Sequence, residues 1–240
     1  MQDLRLLDVA GVRMSASQEL VTLELYERWA ESYPPVSHNP LMRAEQEAMR
    51  RLWPAMTARR VLDLACGSGR YARLLAAAGA ATVLALDQSA QMLRQVDCAT
   101  AVQGSMTGLP FGSGSFDAVV CGLAVGHAPD LEAWMREVAR VLTPGGVLVY
   151  SDFHPQAAAA GHARRFRDSK GGIHSVPHHL HAVGAHRRAA AAAGLTVEAM
   201  AEVRVGIELR EVFPGSAAFY QRWHGMPVVL AIRAVNPCSP

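Results

Sequence analysis

The chain has 240 residues, half of them hydrophobic and 18% charged, with a formal net charge of +2. That length supports one well-buried domain, or one domain with a small cap, and so balanced a charge gives no case for a nucleic-acid footprint. Four cysteines, Cys66, Cys98, Cys121 and Cys238, stand without a CxxC pair, which argues for free thiols in a reducing compartment rather than a disulfide framework. The opening "MQDLRLLDVAGVRMSASQEL" mixes acids with apolar residues and has no continuous apolar core, so no signal peptide is read there. No uncharged apolar run approaches the roughly 18 residues of a membrane span. The expectation is a cytoplasmic protein with neither nucleic-acid nor membrane partners.

In chain order, "SQELVTLELYERWAESY" places Leu20, Leu23, Tyr26, Trp29 and Ala30 at helical spacing, with a start at Ser17 and a stop at Pro34 and Pro35. A second helix, "PLMRAEQEAMRRLW", opens on Pro40 and ends before Pro54. From Arg60 the rhythm changes. "RVLDLA", "TVLALD", "TAVQG", "FDAVVCGLAV" and "VLVYSDF" read as strands. "GRYARLLAAAGA", "SAQMLRQV" and "DLEAWMREVARVL" read as the helices between them, and "TPGG" as a turn with Gly145 and Gly146. Apolar runs alternating with amphipathic helices predict βαβ units on a parallel sheet covered on both faces. The helix "HRRAAAAAGL", closed by Gly194, and the strands "TVEAMAEVRVG" and "PVVLAIRAV" complete the pattern. Residues 155–185 are irregular, rich in histidine, and read as an insertion at the ligand-binding edge of the sheet.

The stretch "VLDLACGSGRYA" carries the chemistry. Gly67 and Gly69 between a parallel strand and a helix let backbone N–H groups approach a ligand with no Cβ in the way. With Ala72 in the third place they fit the general dinucleotide pattern, a weak signal alone. Asp87, ending the next strand about 20 residues on, is placed to accept both hydroxyls of a ribose. Asp63 discriminates. An acid just before the glycines opposes a pyrophosphate and suits a cofactor carrying an ammonium and a sulfonium.

These motifs resemble the class I S-adenosylmethionine-dependent methyltransferases, in the branch acting on small molecules. The likeness runs through "VLDLACGSGRYA", "VLALDQSAQML", "GSMTGLPFGSGSFDAVVCGLAVGHAPDL" and "REVARVLTPGGVLVYSD". The branch includes ubiquinone-type methyltransferases and the enzyme that methyl-esterifies malonyl carrier protein. The resemblance implies an α/β, Rossmann-like, doubly wound seven-stranded sheet, mostly parallel with an antiparallel last strand, preceded by two N-terminal lid helices. A single methyltransferase domain over 1–240 then divides into lid helices (1–55), cofactor-binding core (56–152), acceptor-side insertion (153–185) and a C-terminal helix with strands (186–240).

By the same resemblance, Asp63, Ala65, Gly67 and Gly69 surround the methionine portion of S-adenosyl-L-methionine. Asp87 takes the ribose, Gln88 and Met92 lie beside or under the adenine, and Ser105 and the Met106 amide face the ring. Ser105 departs from the acid common there and offers only a neutral hydrogen bond. Leu123 falls near the sulfonium methyl, and Tyr26, Tyr33 and Arg43 are candidates for the lid and the methionine carboxylate. Tyr26 and Trp29 also read simply as the apolar face of a helix, and Cys66 and Cys121 as small core-edge residues.

A base is needed only if the methyl acceptor carries a proton. His127, Asp152 and His154 lie at strand ends and are the catalytic candidates, His127 reading either as base or as loop brace. His174, His178, His179 and His181 read as lining of an acceptor pocket, as surface residues, or as ligands of a divalent ion. The metal is disfavoured because adjacent histidines on an extended segment face opposite ways. Arg164, Arg165 and Arg167 read as partners for an acidic acceptor or a carrier-protein phosphopantetheine, or as a solvated basic face. The leading function is methyl transfer to a small-molecule acceptor, free or held on an acyl or peptidyl carrier protein. Intramolecular closure of the cofactor to azetidine-2-carboxylate and methylthioadenosine is the alternative, followed by a non-catalytic cofactor-binding module. A nicotinamide dehydrogenase comes last.

Overall fold

A computed structural model describes residues 16–212 and 217–238. Helix α1 (Ala16–Ala30) begins one residue before the expected Ser17, and α2 follows at Pro40–Leu52. Then come β1 (Arg60–Leu64), α3 (Arg70–Ala77), β2 (Thr82–Asp87), α4 (Ala90–Leu93), β3 (Thr100–Gln103), β4 (Phe116–Cys121), α5 (Leu131–Val141) and β5 (Leu142–Phe153). The remainder is α6 (Pro155–Ala159), β6 (Arg165–Arg167), β7 (Ile173–Ser175), α7 (Val183–Ala192), β8 (Thr196–Arg204), α8 (Ala217–Trp223) and β9 (Pro227–Val235).

Seven strands form one sheet in the order β3-β2-β1-β4-β5-β9-β8. The first five are mutually parallel, and β9, the last in sequence, runs antiparallel to both β5 and β8. This is the expected architecture. Its strands are legible because parallel strands bury both faces and so read as unbroken apolar runs; β1 is buried from Val61 to Leu64. One face packs around Trp134, Met135 and Tyr150, the other around Met49, Tyr71 and Leu75. The strand order reverses between β1 and β4, and the crevice above that point is where such sheets bind ligands.

Local chemistry sets the helix starts. The Asn39 side chain accepts from Met42 N at 2.9 Å, with Pro40 in the first turn. Ser89 and Asp130 cap α4 and α5 in the same way. Three expectations fail in detail. Leu20 is 62% exposed, so the apolar stripe of α1 starts a turn later. Helix α4 ends at Leu93 instead of running to Val96. The "TPGG" segment is part of β5, with Gly145 in the left-handed region at φ +76° and its amide donating to Asn236 O. The irregular insertion also acquires form: β6 and β7 pair as a hairpin of their own, behind α6.

Helix α2 is locked to the sheet by a buried acid. Glu45, fully enclosed, accepts from Arg70 Nη1 at 2.8 Å, from the Tyr71 hydroxyl at 2.8 Å and from the Ser151 hydroxyl at 2.5 Å. Gly122 makes room for this cluster, since a Cβ there would stand 2.2 Å from Tyr71 Cε2. Removing one member of a buried ion pair strands the other charge, at a cost of about 3–5 kcal/mol. Glu45→Ala is therefore expected to lower the unfolding free energy by about that amount, read as a reduced denaturant midpoint. A loss within the error of the measurement would mean that Arg70 finds other compensation.

Candidate active site

The crevice is a cavity of about 600 Å³, within the range of small-molecule and cofactor sites. Its floor is the loop after β1. Ala65, Gly67 and Gly69 all adopt positive φ, at +55°, +55° and +84°. For the glycines this carries little cost, and for Ala65 it is local strain held by the surrounding hydrogen bonds. Gly69 is the N-cap of α3 and supports the turn from below, outside the cavity lining.

Two carboxylates grip this turn. Asp63, 1% exposed, accepts from Ala72 N at 2.7 Å and so ties β1 to the first turn of α3. Asp87 accepts from Gly67 N at 2.8 Å and from Ser89 N at 2.9 Å. Both line the cavity, and neither makes an ion pair among the described residues. Burial pushes the Asp63 carboxyl up to about 7, against the opposing pull of the Ala72 N–H and Arg70. Burial raises Asp87 as well, against the amides of Ser89 and Gly67. Such a pair favours a guest that brings positive charge and repels a diphosphate. Gln88, Met92, Ser105 and Met106 line the cavity on the side of β2 and β3. The Ser105 hydroxyl is paired with that of Thr107 at 2.9 Å. These residues fit S-adenosylmethionine.

The opposite half, above β4 and β5, is built by the helices and the hairpin. Leu123, at φ +54°, donates its amide to Ser151 O and lines the cavity. Arg164 donates from Nη2 to Leu123 O at 2.5 Å and from Nη1 to the Tyr26 hydroxyl at 2.6 Å and His127 Nε2 at 2.7 Å. Tyr26 also meets His127 Nε2 at 2.8 Å. An arginine only donates, so Nε2 of His127 is its unprotonated nitrogen and Nδ1 carries the proton. Burial and the neighbouring guanidinium hold the His127 pKa well below the ordinary range. His127 thus fits the brace reading, with its basic nitrogen committed to Arg164 and Tyr26. Above them Trp29 of α1 stacks on Phe166 of the hairpin, ring centroids 4.6 Å apart and 11° from parallel, and Trp29 meets Tyr33 edge-on. These aromatic rings close the cavity over its centre.

Several expected site residues fall elsewhere. Arg43 is exposed on the outer face of α2 and lines no part of the cavity. Asp152 lies behind the cavity wall, where Oδ1 accepts from Phe153 N at 2.8 Å and burial raises its carboxyl to about 6. His154 points away from the crevice: Nδ1 accepts from Gln156 N and Nε2 lies 3.4 Å from Glu202. None of His174, His178, His179 and His181 lines the cavity. His174 pairs with Asp168 at 2.7 Å and stacks on Phe166, and His181 Nε2 is 3.0 Å from Ala128 O. The His179 amide donates to Gly126 O at 2.6 Å, and burial pushes His178 down to about 4. Their work is to hold the insertion against the loop after β4. Among the described residues no group of three or more His, Cys, Asp or Glu could hold a metal ion, and no described helix is long and apolar enough to cross a membrane.

Sequence reading passed over Phe166, His162 and the Glu45–Arg70 pair. The one available signal was the placement of Phe166 between Arg165 and Arg167, an alternation that the hairpin turns into one buried and two exposed residues. It also left Arg164 undistinguished from its neighbours; the structure separates them, with Arg164 buried and Arg165 and Arg167 exposed.

Comparison with known proteins gives the same outline. Residues 62–150 match the family described as methyltransferase domain. Malonyl-[acyl-carrier protein] O-methyltransferase of Enterobacter lignolyticus is 39% identical over 118 residues, covering 48% of this chain and 47% of that protein. The 2-phytyl-1,4-naphtoquinone methyltransferase of Synechococcus elongatus is 33% identical over 126 residues, covering 44% and 54%. The chain thus spans about half the length of the curated relatives it matches. An S-adenosylmethionine dependent methyltransferase from Mesorhizobium loti shares the fold, with a TM-score of 0.65 at 24% identity over 80% of this chain and 97% of that one. The segment from β1 to β5 thus matches a methyltransferase domain, and the sheet that carries it has the fold of the solved S-adenosylmethionine-dependent methyltransferase.

Proposed function

We propose that this chain transfers the methyl group of S-adenosylmethionine to a small-molecule acceptor, free or carried on an acyl carrier protein. The observation that carries this reading is the pair of buried carboxylates, Asp63 and Asp87, facing one cavity without an ion-pair partner among the described residues. The named activities of the two relatives, one on a carrier-bound malonyl group and one on a naphthoquinone, support a small organic acceptor.

When bound, S-adenosylmethionine supplies a methyl group already activated by its positive sulfur. The chain's part is then to bind, orient and dry the reaction. Asp87 holds the ribose, and Asp63 and the glycine turn hold the amino-acid end. Tyr26, Trp29, Tyr33 and Phe166 exclude water from above. The cavity extends past these residues to Leu23, Phe153 and His162, which gives the acceptor room beside the cofactor. Holding two reactants in near-attack geometry supplies several kcal/mol, up to roughly 7–11 in well-oriented systems.

The test is to incubate the protein with S-adenosylmethionine alone, then with a malonyl thioester or a reduced naphthoquinone, and identify the nucleoside by mass spectrometry. S-adenosylhomocysteine formed only with an acceptor is the expected result. Methylthioadenosine formed without any acceptor would mean internal ring closure and would overturn the proposal. Asp87→Asn is expected to weaken S-adenosylmethionine binding more than tenfold by calorimetry; unchanged affinity would remove the ribose assignment.

Asp63 predicts a pH dependence. A cationic cofactor binds the ionised carboxylate, and the folded-state value near 7 leaves that form scarce in weak acid. The dissociation constant for S-adenosylmethionine is therefore expected to fall as pH rises from 6 to 8. Stability without cofactor runs the other way: raised above the ordinary carboxylate range, the group favours folding most at low pH, and that contribution is lost as pH climbs toward 7. Asp63→Asn should flatten the binding profile. A variant that keeps the same slope would assign the titration to another group.

A further inference from the structure

Arg164 is a buried arginine of the cavity wall that no carboxylate among the described residues pairs directly. The residue is 8% exposed and lines the cavity, and its guanidinium is permanently charged. Every hydrogen-bond partner it has is neutral: the Leu123 carbonyl, the Tyr26 hydroxyl and an unprotonated imidazole nitrogen; the buried Asp152 carboxylate acts on it only through space, beyond ion-pair distance. The Phe153 ring adds a cation–π contact at 4.8 Å. No carboxylate among the described residues stands within ion-pair distance, and Nε has no hydrogen-bond partner. The other buried arginine, Arg70, shows the usual solution, a direct pair with Glu45. Buried charges are kept where they are paired or where a ligand completes them.

Its position says which ligand. The cofactor residues gather over β1, β2 and β3, at Asp63, Asp87 and Ser105. Arg164 is held instead over β4 and β5, by Leu123 and His127 after β4 and by Phe153 at the end of β5. That is the half left to the acceptor. Tyr26 and His127 fix the guanidinium from the side, so it is a preorganised fork rather than a mobile surface charge, and a planar fork of N–H donors matches a carboxylate.

We propose that Arg164 is the residue that selects the acceptor, and that the acceptor carries a carboxylate, which Arg164 binds. The proposal rests on the methyl-transfer reading for the word acceptor, but its central content, an anion site over β4 and β5, is independent of turnover. Arg165 and Arg167, exposed beside it, raise the local positive potential at the entrance.

The experiment measures binding of straight-chain and aromatic monocarboxylates, each against its isosteric amide, by ligand-observed NMR. It is run on the wild-type protein with and without S-adenosylhomocysteine, and on Arg164→Gln and Arg164→Lys. The wild type is expected to bind carboxylates at least tenfold more tightly than the amides. Arg164→Gln should erase that preference, Arg164→Lys should keep part of it, and both should leave the affinity for S-adenosylhomocysteine within twofold. Equal binding of acids and amides by the wild type, or no carboxylate bound at all, would overturn the proposal without touching the cofactor site. A tenfold loss of S-adenosylhomocysteine affinity in Arg164→Gln would overturn it differently, by assigning Arg164 to the cofactor's own carboxylate. Failure of the methyl-transfer reading would show separately, in the nucleoside product.

Discussion

Two carboxylates hold one turn of backbone, and the site depends on that grip. Asp63 reaches forward to Ala72 N and fixes where α3 starts; Asp87 reaches across to Gly67 N and fixes where the glycine turn stops. Asp63 does this with one oxygen and Asp87, which also takes the Ser89 amide, with both, while each lines the cavity. The fold thus sets negative charge at the carboxyl ends of β1 and β2, in a place dry enough for burial to raise both groups. A cationic guest relieves that unfavourable burial, and an anionic one aggravates it. Selection between cofactors is in this sense a consequence of how the loop is braced.

The second half of the cavity is built on the opposite sign. Arg164 gathers α1, the loop after β4 and the hairpin into one cluster, and its hydrogen-bond partners are all neutral, with no carboxylate among the described residues in direct contact. A negative floor beneath the cofactor and a positive wall beside it divide the space into two chemically distinct compartments. The aromatic stack of Trp29 on Phe166 closes over both, joining an N-terminal helix to the insertion. Helix α2 reinforces this from the other side through the buried contacts of Glu45 with Arg70, Tyr71 and Ser151.

The core was legible because its determinants are local. Thr82–Asp87 could be read to the residue, since a strand buried on both sides is an apolar run ended by a polar residue. Asp63, Gly67 and Asp87 were legible because a turn that approaches a ligand demands particular residues at particular spacings. The insertion was not legible. Its histidines advertise chemistry, yet their roles follow from long-range contacts: His174 with Asp168 across the hairpin, His181 with Ala128 across 53 residues. Among Arg164, Arg165 and Arg167 only the backbone alternation of β6 and its approach decides which is buried. Arg43 was assigned by likeness to other lids and sits on the solvent side of α2. His154 failed similarly, because the turn into α6 directs its ring toward Glu202.

The most direct measurement of the central claim is a crystal structure of this chain grown with S-adenosylhomocysteine. The account predicts the ribose hydroxyls on the Asp87 carboxylate, the adenine beside Gln88, Met92 and Met106, and the amino-acid end against Asp63 and Gly67. A nucleoside bound elsewhere, or a glycine turn turned away from the ligand with Asp63 and Asp87 untouched, would contradict it.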